Sequence, residues 1–117
     1  MDLKEIHKKK MKALKLAWSA AKSGEDYLPY LRKLNHNQLL EIAEDCDLVV
    51  NHVRIIANGP GNRVCDSCKA LSGKLVKLDD EIMHQTLPNH NCSCTAYNES
   101  QVGFCLCYYE VVFDDEL

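Results

Sequence analysis

The sequence predicts an α+β fold in which N-terminal helices pack against a small, zinc-stabilised antiparallel β module. Three observations predict it. Residues 1–58 carry apolar side chains at steps of three and four, the spacing of amphipathic helices. Two clusters of soft ligands, Cys65-x-x-Cys68 and His90-x-Cys92-x-Cys94, then stand apart by the loop length of a zinc site, about 15 to 25 residues. Beyond Cys92, β-branched and aromatic residues dominate. The reading is one domain over 1–117, with a helical part at 1–58 and a zinc-binding, β-rich part at 62–117.

The first helix spans Asp2 to Lys22. Leu3, Ile6, Met11, Leu14, Ala17, Trp18 and Ala21 form its apolar stripe, lysines lie opposite, and Ser23-Gly24 ends it. Met11 and Trp18 are expected core contacts. Asp26 is expected to cap a short second helix with Pro29 in its first turn, where a missing amide hydrogen leaves nothing unpaired. Asn35 or Asn37 then caps the strongest helix, with Gln38 at the capping-box spacing from Asn35. Its face runs through Leu39, Ile42, Ala43, Cys46, Val49, Val50, Val53, Ile56 and Ala57 to the break at Asn58-Gly59-Pro60. Cys46 reads as a small buried hydrophobe and His52 as a histidine on the flank of the stripe.

Gly59 to Asn62 form a loop where helical patterning gives way to β. A turn is expected at Ser72-Gly73, a strand at Lys74 to Leu78, and a single helical turn from Asp79 to Met83. Cys92 to Tyr97 and Gly103 to Phe113 are expected to pair as a hairpin across a turn at Asn98 to Gln101.

The ligand set comes from five residues, Cys65, Cys68, Cys92, Cys94 and His90, of which four complete a tetrahedron. His90, Cys92 and Cys94 alternate. Neighbours two apart on an extended strand are about 6.5 to 7 Å apart, whereas zinc bonds its ligands at about 2.0 to 2.3 Å. Using both Cys92 and Cys94 therefore needs a kink, and Pro88 just upstream permits an irregular entry. Cys105 and Cys107 share one strand face with Tyr109 and read as buried thiols, the alternatives being a second metal or Cys105 in place of Cys94. A redox dithiol at Cys65 and Cys68 is the competing chemistry, but Asp66 inside the motif raises a thiol pKa, and Gly73 limits the helix that would lower it.

Composition narrows the function classes. At 117 residues, 46% hydrophobic and 26% charged, the chain has the make-up of a globular protein rather than a disordered one. No apolar run approaches a membrane span and no secretory h-region follows the start, which points to a reducing, cytoplasmic setting. Seven cysteines there favour metal ligation over a disulfide framework. Asp114-Asp115-Glu116-Leu117 looks like an ER-retention address, but that address acts only after entry into the secretory route. Net charge is −3, yet Lys8, Lys9, Lys10, Lys12 and Lys15 crowd the first helix and offer a contact for nucleic acid or an acidic partner. No histidine is followed by x-Glu as in zinc deaminases, and His-Glu-x-x-His is absent. A site closed by four protein ligands has no open position for catalysis, so no enzymatic activity is expected.

The run Arg63-Val-Cys65-Asp-Ser-Cys68-Lys-Ala-Leu-Ser-Gly73-Lys-Leu-Val, followed by Leu87-Pro88-Asn89-His90-Asn91-Cys92-Ser93-Cys94-Thr95, resembles the C-terminal cysteine module of phage Mu F-like minor head proteins, also called phage head morphogenesis proteins. These proteins pair a CxxCxxLxGK-like element with a Pro-His-x-x-Cys-x-Cys-like element. Asn89 stands at the family's histidine position and His90 one residue later. The resemblance implies bound zinc, a role in capsid assembly and association with the virion. The functional expectation is a non-enzymatic zinc-binding module for protein interaction or assembly. The alternatives are a zinc-stabilised nucleic-acid binder using the lysine-rich helix and a thiol redox protein.

Overall fold

The computed structural model describes residues 2–45, 50–58, 65–89 and 107–117. They form a small α+β domain, with two N-terminal helices and a three-stranded antiparallel sheet. Helix α1 covers Leu3–Ser23. Asp2 Oδ1 accepts from the Lys4 amide at 2.7 Å, satisfying a donor that the first turn leaves open. Gly24 ends the helix at φ +74°, and the Glu25 amide reaches back to the Ala20 carbonyl at 2.8 Å. The buried face is Ile6, Ala13, Ala17, Ala20 and Ala21. Its small side chains bring α2 close, where Leu31 is buried and Tyr27, Tyr30 and Leu34 pack alongside Trp18. Met11, expected in the core, is 39% exposed, and Leu3 also faces solvent.

Helix α2 is one uninterrupted helix over Leu28–Glu44, not a connector followed by a second helix. Asp26 does serve its start, accepting from the Leu28 amide at 3.0 Å. Asn35 is no cap. It is buried in mid-helix, and its Nδ2 donates to the Cys107 carbonyl at 3.3 Å. Asn37 is likewise internal, turned back on the Lys33 carbonyl at 2.8 Å. Between the helices, Lys10 Nζ and His7 Nδ1 reach the two oxygens of Glu41 at 2.8 and 3.2 Å. Lys10 is thus taken out of the exposed basic set.

The helix expected to run to Ala57 ends at Glu44, and His52–Ile56 is a strand, β1. It is the centre of the sheet, between β2 (Leu75–Lys77) and β3 (Tyr108–Val112). Val53 faces Val76 on one side and Val111 on the other; Arg54 faces Glu110, with their charges 3.8 Å apart. Val53 and Ile55 are fully buried while their neighbours are only partly so, the period of two that belongs to a strand. His52, expected on a helix flank, is part-buried on β1, and its Nδ1 finds no hydrogen-bond partner among the described residues.

Helix α3 (Asp66–Leu71) leads into the expected turn at Ser72-Gly73. Gly73 has φ +88°, and its amide donates to the Ile55 carbonyl at 2.7 Å. The expected strand follows as β2, then α4 (Leu78–Met83). Leu39, Val53, Ile55, Cys68, Leu78, Leu87, Cys107 and Tyr109 make the core beneath the sheet. The face shared by Cys107 and Tyr109 is buried as expected, with Tyr108 turned outward. Gln38 reaches from α2 to the backbone of β3, donating to the Tyr109 carbonyl at 3.3 Å and accepting from its amide at 3.2 Å.

The first hairpin strand at Cys92 to Tyr97, its turn, Cys105, Cys46 and the loop at 59–62 lie outside the described residues. No described helix is long and apolar enough to cross a membrane.

Candidate metal centre

Cys65 and Cys68 are brought together by α3. Cys65 is the N-cap, in extended conformation, and its Sγ accepts from the Cys68 amide at 3.4 Å. Cys65 is half-buried and Cys68 fully buried in the core, so the pair stands at the boundary between core and solvent.

Asn89 comes to the same place from the other side. Its Nδ2 donates to Ser67 Oγ at 2.9 Å and to Cys68 Sγ at 3.4 Å. The segment leading to Asn89 is held by a buried polar network. Glu81 is 5% exposed; its carboxylate accepts from the Thr86 amide, the Thr86 hydroxyl and the Tyr109 hydroxyl at 3.0, 3.0 and 2.9 Å. The Tyr109 oxygen in turn accepts from the Leu87 amide at 3.3 Å. Burial pushes the Tyr109 phenol well above its ordinary pKa, reinforced by the adjacent Glu81 charge and only partly opposed by the Leu87 amide. A buried carboxylate is tolerated only with its lone pairs satisfied. Here the donors are Thr86 and, on β3, Tyr109, so the network holds the 86–87 segment against the sheet.

His90, Cys92 and Cys94 follow Asn89 directly and lie outside the described residues, as does Cys105. Among the described residues no group of three His, Cys, Asp or Glu could hold a metal; the described half of the expected site is the pair Cys65 and Cys68. Cys107 shares their core cluster without joining such a group. Sequence spacing marks the cysteines and His90, and the resemblance marks Asn89 only as the occupant of the family's histidine position; neither reveals the contact of the Asn89 amide with the sulfur or the Glu81–Tyr109 network. A donor that acts through a hydrogen bond has no ligand spacing to reveal it. The chain matches no protein-family model, no curated protein and no solved structure.

Proposed function

We propose that the chain is a small, non-enzymatic zinc-binding module for protein interaction or assembly, of the phage head morphogenesis type. The observation that carries this is the contact between Asn89 Nδ2 and Cys68 Sγ. It brings Asn89, the residue before His90 in the sequence, onto the first cysteine pair, which supports a centre that draws on both clusters. Asn89 occupies the position where the resembling family carries histidine. Four protein ligands leave the ion no open position, the closed arrangement of structural rather than catalytic zinc.

Metal analysis of the purified protein tests it. One zinc per chain is expected. Serine at Cys65 or Cys68 abolishes binding, and among Cys92→Ser, Cys94→Ser and His90→Ala two of three do so. Protein without metal, whose melting is unchanged by a chelator, overturns the proposal.

One observation favours a second reading, in which zinc holds a scaffold for nucleic acid. Lys4, Lys8, Lys12, Lys15 and Lys22 are exposed on α1, away from the buried alanines, and none forms an ion pair among the described residues. Phosphate contacts from five lysines give a slope of log affinity on log salt of about −4 to −5. Each lysine changed to glutamine should lower that slope by about one. Duplex binding that is absent at low salt, or indifferent to salt, retires this reading.

A further inference from the structure

We propose that the cleft between α2 and α4 receives the acidic turn after β3 from a second copy of this chain. This supplies the assembly reading above with a contact surface, and it rests on that reading. The cleft holds about 370 Å³, within the range of about 300 to 1,000 Å³ typical of binding pockets. Its α2 wall carries Arg32, Lys33 and His36; its other wall is Ile82, Met83 and Gln85. Neither Arg32 nor Lys33 has an acidic partner among the described residues. Met83 is 76% exposed.

The walls are held in place. Gln85 Nε2 donates to the Arg32 and Leu87 carbonyls at 3.1 and 3.0 Å, which leaves its Oε1 to accept from His36 Nδ1 at 3.0 Å. The same three bonds orient the His36 ring with its Nδ1 as donor. An open cleft with one basic wall and Ile82 and Met83 on the other calls for an occupant that sets carboxylates beside a large apolar side chain.

The chain itself presents such a segment. Phe113 is 41% exposed and is followed by Asp114, Asp115 and Glu116, all exposed, in one 3₁₀ turn. In its own molecule this turn is moored at the start of β1, where Asn51 Nδ2 donates to Asp114 Oδ2 at 3.2 Å, and none of its residues lines the cleft. The turn that enters the cleft therefore belongs to another molecule. Cleft and turn lie on the same chain, so the contact is either exchanged reciprocally about a twofold or repeated head to tail into a ring or an open chain.

Sedimentation velocity over a concentration series tests the proposal. Wild-type protein should self-associate at low salt and dissociate as salt is raised, because the contact is carried by exposed charge. The double variant Arg32→Glu, Lys33→Glu and the double variant Asp115→Lys, Glu116→Lys should each weaken self-association at least tenfold. Mixing the two, or combining all four changes in one chain, should restore it through the reversed pairing. Met83→Ser and Phe113→Ser provide charge-neutral variants that should weaken it independently. A wild type that stays monomeric, or charge reversals that leave association unchanged, overturns the docking. Zinc content and melting are read on the same samples: a zinc-loaded monomer retires the docking alone, and metal-free protein retires the metal reading alone.

Discussion

Asn89 touches the sulfur of the proposed metal centre without being one of its expected ligands. Its amide donates to Cys68 Sγ and to Ser67 Oγ, and a donor on a thiolate both orients the sulfur and steadies its charge. Asn89→Ala should weaken zinc binding about 10- to 100-fold while leaving one site per chain; chelator competition would show this, and an unchanged affinity would remove Asn89 from the centre. Tyr109 has the corresponding role in the network beneath. Tyr109→Phe strands the Leu87 amide and takes a donor from Glu81, a loss of about 1 to 3 kcal/mol in urea denaturation. Burial raises the Tyr109 pKa above its unfolded value of about 10. The neutral phenol is therefore favoured in the folded state, so its contribution is intact below about pH 10 and is lost as pH rises beyond that. Denaturation midpoints measured across alkaline pH should fall for the wild type and fall less for Tyr109→Phe. Neither residue is conspicuous in the sequence, because a hydrogen bond across 21 or 28 positions leaves no local pattern.

Among the elements, α1 is the most legible: the terminal glycine and most of the apolar stripe agree with the structure, which places the ends within a residue of expectation and exposes Leu3 and Met11. The segment around β1 misleads for a physical reason. Val50, Val53 and Ile56 satisfy a step of three, while Val53 and Ile55 satisfy a step of two, and local patterning cannot choose between them. The choice is made by strands β2 and β3, which lie far along the chain and offer backbone partners on both sides. Asn35 misleads in the same way, since its helix-capping chemistry is spent on the Cys107 carbonyl. The turn joining α3 to β2 is legible because Gly73 carries the signal itself. At φ +88°, with no atom within 4 Å of the place an added methyl group would take, its role is conformational rather than steric. Gly73→Ala should therefore cost about 1 to 2 kcal/mol, visible as a lowered thermal midpoint, and a neutral outcome would show that the turn tolerates an ordinary residue.

For the molecule as a whole, the question is what holds the part after α2 together. The described core there is modest, and structural zinc supplies on the order of 10 kcal/mol in small peptides, against about 5 to 15 for a typical domain. Chelation should thus lower the melting midpoint by about 10 °C or more, with loss of the Tyr109 environment, whereas α1 and α2 retain the contacts they make with each other. A chelator-insensitive melt would place the stability in packing alone. Half of the proposed centre is legible in cysteine spacing and stands as a preformed pair; the remaining ligands fall outside the described residues. One detail of the sheet bears on how such a molecule meets others. Gln38 already occupies the amide and carbonyl of Tyr109 on the outer side of β3, and the opposite border is only Leu75–Lys77, next to Lys74. Among the described strands, a neighbour seeking to extend the ladder finds the Tyr109 backbone taken on β3 and the other border short and charged, which disfavours strand addition there and favours contacts through side chains on helices and turns.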